Sequence, residues 1–281
     1  MMLDKRLNAY RNDLADLRLK GKVEAPLFRE GSLMQMNTPI ATLHRAPALA
    51  APQETQVLFG ETLRVFDVTE GWAWVQLYRD SYVGYLRQEF LSAKIHEPTH
   101  HVSVPSTLLY AKPSIKVLPV KFLPMNVQVS VTAVQNQFIE LATGGFIFAE
   151  HVKALATMPT DYVAIAEQFL NTPYLWGGKS AHGIDCSGLV QISLHACGLS
   201  CPRDADMQEA ELGSPLLINN IDGLKRGDLI FWAGHVGIMR DETTMLHASG
   251  HHMMVVSEPL AIANDRTKAN GKEITRMKRL A

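Results

Sequence analysis

From about residue 34 onward, turn-forming residues cut the chain into short apolar runs, and this spacing governs what it can fold into. The runs Ile40-Ala-Thr-Leu-His, Gln56-Val-Leu-Phe, Thr62-Leu-Arg-Val-Phe-Asp-Val, Trp72-Ala-Trp-Val-Gln-Leu and Tyr82-Val-Gly-Tyr-Leu are separated by Ala-Pro, Gly60, Glu70-Gly71 and Asp80-Ser81. Five or six short strands in so brief a stretch predict a small barrel. The pattern recurs after Glu97-Pro98-Thr99. Ser106-Thr-Leu-Leu-Tyr-Ala-Lys-Pro echoes Ala41-Thr-Leu-His-Arg-Ala-Pro, and Phe138-Ile-Glu-Leu then Gly145-Phe-Ile-Phe echoes Trp72-Ala-Trp-Val then Tyr82-Val-Gly-Tyr. This reads as a diverged internal repeat of one barrel unit. Ahead of both, Leu3, Leu7, Tyr10, Leu14 and Leu17 recur at helical steps and Gly21 ends the pattern, so residues 3–18 are predicted to form an amphipathic helix, docked on the rest of the chain or, as the alternative, zipped to another subunit.

The last third of the chain changes character. Asp161 opens a helical pattern that ends at Asn171-Thr-Pro173. Then come Tyr174-Leu-Trp-Gly-Gly, a loop, and Asp185-Cys186-Ser187 at the head of an apolar run. Asp185 is a good N-cap, which puts Cys186 in a first helical turn, where free N–H groups and the dipole favour a thiolate. Gly177 and Gly178 read as turn formers. Downstream, His235 and His247 lie in two β-rich runs joined by Arg240-Asp-Glu-Thr, which predicts an antiparallel hairpin with the two rings facing each other. A cysteine with two such histidines supplies a nucleophile, a base and a group that orients the base. His100-His101 and His251-His252 have neither i, i+4 spacing nor accompanying carboxylates, so no metal site and no cofactor are expected.

These blocks resemble the NlpC/p60 cell-wall peptidases over residues 157–281, and the two β-rich stretches resemble bacterial SH3-like domains. The fold class implied is α+β: a papain-like catalytic domain preceded by two small all-β SH3-like barrels and an N-terminal helix. The expected boundaries are 1–33, 34–95, 96–156 and 157–281. The resemblance implies catalytic roles for Cys186, His235 and His247, with Tyr174 giving a hydroxyl to the oxyanion. It places Trp176, Asp185 and Ser187 around the cleft. Cys201-Pro-Arg203-Asp204 resembles a segment of the subgroup that cuts free cell-wall peptides, in which the carboxylate matching Asp204 pairs with the substrate's α-ammonium; as a plain alternative, Asp204 is only an N-cap. In that subgroup the first SH3-like domain also contributes, here through Tyr82 and, more loosely, Glu54. Arg203 is expected to be structural. The implied activity is cleavage of the γ-D-glutamyl–L-diamino-acid bond in free murein tri- or tetrapeptides beginning with L-alanine, a recycling reaction. The rivals are a thiol amidase or acyltransferase on another γ-linked amide, and a non-catalytic wall-peptide-binding module.

Composition narrows the partners. Lys+Arg number 27 against 28 Asp+Glu, a net charge of −1, which gives no support to nucleic-acid binding. The three cysteines lack disulfide-like spacing, Cys197 and Cys201 read as ordinary thiols, and a reducing compartment suits a nucleophilic thiol. Neither a secretory core near Met1 nor an apolar run long enough for a membrane span is present, so a cytoplasmic location without membrane partners is expected. The preferred diamino acid and the oligomeric state are left open.

Overall fold

The computed structural model describes residues 3–217 and 221–280. The chain divides into two compact units, Met1–Ala156 and Thr157–Ala281.

In the first unit, seven antiparallel strands form one curled sheet in the order Gln53–Leu58, Ile40–His44, Val83–Arg87, Trp72–Leu77, Thr62–Thr69, Ser32–Met36, Leu91–Ser92. Alternation drives it: in Ile40–His44 only Ala41 and Leu43 are buried, and Val57, Leu63, Val75 and Leu86 join them in the interior. The later stretch has the same order of elements. The strands Phe138–Leu141 and Phe146–Phe148 form a hairpin, as do Trp72–Leu77 and Val83–Arg87. Each hairpin runs into a 3-10 turn, Ala149–His151 or Gln88–Phe90, and then a short strand. The bridge Tyr110↔Phe146 matches His44↔Tyr85.

The predicted helix over residues 3–18 is not formed. The segment runs as turns, with a bridge Tyr10↔Ala15, a two-residue parallel pairing of Ala15–Asp16 with Phe28–Arg29, and a 3-10 turn at Leu17–Leu19. Besides its own turn bonds, its backbone is tied to the barrel: Val83 N–H donates to the Arg6 carbonyl at 2.8 Å and Gln76 Nε2 to the Leu7 carbonyl at 2.8 Å. Ala9 and Leu14 are buried with Phe66 and Trp74, and the Arg11 guanidinium lies 4.5 Å from the Trp74 ring centre. Leu17, assigned to the apolar stripe, is exposed. Tertiary hydrogen bonds and the barrel's apolar face thus override a local periodicity that a segment this short supports only weakly.

The second unit is α+β. Its helices are α1 (Tyr162–Glu167), α2 (Cys186–Ala196), α3 (Ala205–Glu211) and α4 (Leu260–Ala269). Its main sheet contains β1 (Ser214–Pro215), β2 (Leu229–Trp232), β3 (His235–Met239), β4 (Thr244–Ser249), β5 (Met254–Pro259) and β6 (Ile274–Arg279), in the order β1-β6-β2-β3-β4-β5. Asp161 caps α1 by accepting from Val163 and Ala164 N–H. The β3–β4 turn is held by Asp241 Oδ1, which accepts from the Thr243 and Thr244 N–H groups. α2 packs against β3 and β4. Pairing and alternation put Ile230, Trp232, His235, Met239, Met245, His247 and Glu258 on one face, where Leu260 and Ala263 of α4 cover its apolar part. The basic tail from Lys268 to Arg279 leaves α4 through an exposed turn and enters β6, which is not an edge strand. Lys268 belongs to α4, and β6 is inserted between β1 and β2 with Met277 fully buried.

Candidate active site

The nucleophile sits on a turn over-determined by one buried ion pair. Asp185 Oδ1 accepts from Gly188 N–H at 2.7 Å and Oδ2 from Gly177 N–H at 2.7 Å, tying the glycine turn to the start of α2. Arg203, 1% exposed, grips the same carboxylate through Nη1 at 3.0 Å and Nη2 at 2.7 Å, and donates to Ser187 Oγ at 2.8 Å. Backbones approach too closely for side chains here: a Cβ on Gly188 would fall 2.3 Å from the Gly178 carbonyl, and one on Gly178 would fall 2.4 Å from that of Gly183. Cys186 therefore enters α2 from a fixed position, with the Val236 and Ser187 N–H groups donating toward its sulfur. Since Val236 follows His235, the thiol lies beside the start of β3.

Behind it runs a chain of side chains. His235 Nε2 is 2.8 Å from His247 Nδ1, and His247 Nε2 is 2.8 Å from Glu258 Oε1. Arg266 of α4 closes the chain, donating through Nη1 to Glu258 Oε2 at 2.9 Å and through Nη2 to Oε1. His247 is buried, and Trp232 flanks His235 with ring centres 5.7 Å apart. With Nε2 of His235 committed to His247, Nδ1 is the ring nitrogen left to act as a base.

Burial sets the resting protonation. It pushes the Cys186 thiol up to about 12, helped by the Asp185 carboxylate, while the Val236 and Ser187 N–H groups and Arg203 pull the other way. It pulls His235 down to about 3, joined by His247, Lys272 and Arg266 and opposed by Glu258. Burial thus disfavours the charged form of both groups and opposes the thiolate that the helix terminus favours. Burial also acts to raise Glu258, but its bonds to His247 and Arg266 win and hold it at about 2.

The other predicted residues divide. Tyr174 is half-buried, and burial followed by the charges of Cys186 and Asp185 raises its hydroxyl well above the usual range. Trp176 is 64% exposed. Asp185 and Ser187 flank Cys186, are as buried as it is, and bind Arg203 through their side chains. Asp204 stands at the N-cap position of α3, yet its side chain makes no capping bond to that helix. Tyr82 and Glu54 belong to the first unit. There the buried Tyr82 donates its hydroxyl to Glu54 Oε2 at 3.5 Å, Arg45 pairs with Glu54, and both residues line a cavity of about 740 Å³ with Arg11, Trp74 and Tyr85. Glu258 and Arg266 escaped sequence reasoning. The usable signal was an acidic residue two places beyond Val256, the cross-strand partner of His247, in an otherwise apolar strand.

A helix-borne thiol with two hydrogen-bonded imidazoles on an antiparallel sheet defines a thiol hydrolase. Comparison with known proteins makes that class specific. The NlpC/P60 family model matches residues 171–270, and the model described as a bacterial dipeptidyl-peptidase Sh3 domain matches residues 43–91. The chain is 32% identical over 225 residues to the gamma-D-glutamyl-L-lysine dipeptidyl-peptidase of Bacillus subtilis (strain 168), covering 69% of this chain and 72% of that protein. It is 29% identical over 235 residues to dipeptidyl-peptidase 6 of Lysinibacillus sphaericus, covering 75% and 85%. In fold it is similar to the crystal structure of an NlpC/P60 family protein from Bacillus cereus, with a TM-score of 0.75 at 22% identity, over 88% of this chain and 99% of that one. The chain belongs to the NlpC/P60 family and is a cysteine peptidase with an SH3-like domain ahead of its catalytic domain.

Proposed function

We propose that this peptidase cleaves the γ-D-glutamyl–L-diamino-acid bond of free murein peptides that begin with L-alanine, a reaction that recycles wall fragments. The observation that carries the catalytic part is the 2.8 Å bond between His235 Nε2 and His247 Nδ1 behind a cysteine at the start of α2. The substrate class is supported by the likeness to the gamma-D-glutamyl-L-lysine dipeptidyl-peptidase of Bacillus subtilis. Chemistry starts from the neutral pair. His235 Nδ1 takes the thiol proton as the sulfur attacks the γ-carbonyl, and the tetrahedral oxygen is stabilised by the Cys186 N–H and the Tyr174 hydroxyl. Collapse returns the proton to the departing amine and leaves a thioester, which water hydrolyses with His235 again acting as base. Asp204 receives the substrate's free α-ammonium.

The test is product analysis. The purified protein is incubated with L-Ala-γ-D-Glu-meso-diaminopimelate and with L-Ala-γ-D-Glu-L-Lys, and the products are identified by mass. Release of L-Ala-γ-D-Glu and the diamino acid is expected. Intact peptides, or cleavage after L-alanine, would refute the assignment.

A further inference from the structure

The chain behind His235 does not stop at the second histidine. We propose that Glu258, clamped by Arg266, is a positioning residue that fixes the tautomers of both histidines and so delivers a lone pair on His235 Nδ1 to the Cys186 thiol. The inference rests on the thiol-peptidase reading of the same site and extends it by two residues.

The argument is one of donor and acceptor roles. An ionised carboxylate only accepts, and both oxygens of Glu258 already receive Arg266 N–H groups, so this acid is held in the charged form. The His247 nitrogen 2.8 Å from it, Nε2, must therefore carry the proton. A neutral imidazole with a proton on Nε2 has its lone pair on Nδ1, and that atom faces His235 Nε2 at 2.8 Å. His235 must then donate from Nε2, which leaves its own lone pair on Nδ1. When His235 takes the thiol proton, it becomes a donor at both nitrogens and no other member of the chain has to change. The negative charge of Glu258 stabilises the imidazolium so formed, against His247 of β4, Arg266 of α4 and Lys272 of the following turn, all of which disfavour it. Lys272 is held nearby by donating to the Ala233 carbonyl at 3.4 Å. Reversing the order of protons would aim an N–H from His235 at the thiol and remove the base.

The placement fits this role. Glu258 stands on β5 opposite Met245, diagonal to His247 and on the same face of the sheet, so a side chain of this length reaches the ring edge. Arg266 approaches from α4, packed over the same face through Leu260 and Ala263.

Two measurements on the full-length protein test the proposal. Long-range ¹H–¹⁵N spectra of the imidazoles in the resting, unmutated protein should show both His235 and His247 protonated on Nε2; a proton on His247 Nδ1 would overturn it without any mutation. Glu258→Gln keeps the shape and removes the charge. It should lower kcat about 10- to 100-fold, the size seen when a group orienting a reactive imidazole is lost, with KM changed by less than about twofold. The limb of the pH–rate profile that reports His235 should move to lower pH, because the charge favouring its protonated form is gone. Arg266→Lys, which preserves a cation, should recover most of the rate that Arg266→Met loses. Unchanged kcat and pH profile in Glu258→Gln would sink the proposal. The thiol reading fails separately: turnover by Cys186→Ala would discard it, whereas an inactive Cys186→Ala beside a fully active Glu258→Gln discards only the relay.

Discussion

Two arginine–carboxylate pairs support this site, and they do different work. Arg203 and Asp185 lie beneath the head of α2, with side chains 1% and 8% exposed; Arg266 and Glu258 lie behind the histidines at 21% and 12%. The first carboxylate spends its remaining acceptor capacity on backbone N–H groups of Gly177 and Gly188, so it holds chain geometry. The second spends its capacity on His247, so it holds proton positions. A fully dry pair cannot lose one partner without stranding a charge, whereas a pair at the rim of the site can be softened by water. Stability should therefore be concentrated under the cysteine, and rate control behind the histidines.

The hardest test of that contrast is Arg203→Met. It leaves the Asp185 carboxylate buried and partly unpaired, which costs about 3–5 kcal/mol. For a unit of this size that lowers Tm by on the order of 10–20 °C. Calorimetry of the full chain should show the loss in the transition of the second unit. A Tm within a few degrees of the unmutated protein would mean that the turn does not depend on the pair.

On the rate side, His235→Ala removes the group that moves the proton and should cost about 10²- to 10⁴-fold in kcat. His247→Gln should cost less, because an amide oxygen can still accept from His235 Nε2. Both variants should melt close to the unmutated protein. Equal inactivation of the two, each still folded, would show that orientation of His235 needs an imidazole and not merely an acceptor.

The resting protonation gives a third test. With burial pushing the thiol up to about 12 and His235 down to about 3, an uncharged pair is the expected resting form at neutral pH. Only the thiolate is alkylated, so the Cys186 rate with iodoacetamide should climb about tenfold per pH unit from pH 7 to 9. A rate already level from mildly acidic pH onward would instead reveal a thiolate–imidazolium pair.

How much of this was legible in the sequence depended on how local the physics is. Asp185, Cys186 and the two histidines were readable because a cap, a helix start and a hairpin are specified by neighbours a few residues apart. The barrel strands were readable from alternation and turns. Residues 3–18 misled because Leu3, Leu7, Tyr10, Leu14 and Leu17 do keep helical spacing, while the competing bonds from Val83 and Gln76 come from far along the chain. Glu258 was hidden because its link to His247 depends on strand register, which no single-strand pattern reveals. The bonds of Asp185 and Ser187 to Arg203 were hidden for the same reason, since that partner lies some sixteen to eighteen residues away.

The smallest effect concerns Asp204, and it separates the substrate's end from the chemistry. Asp204 occupies the N-cap position of α3 and makes no side-chain capping bond to that helix. If it receives a substrate ammonium, the contact is a charge-assisted hydrogen bond worth about 1.5–3 kcal/mol, or roughly ten- to a hundredfold in kcat/KM. Peptides with a free L-alanine amine should then be cut that much better than their N-acetylated counterparts. Asp204→Asn should narrow the gap by weakening the free-amine reaction and leaving the blocked one nearly unchanged. Unmutated protein that cuts free and blocked peptides equally would remove the recycling substrate from consideration and redirect attention to peptides still attached to the wall.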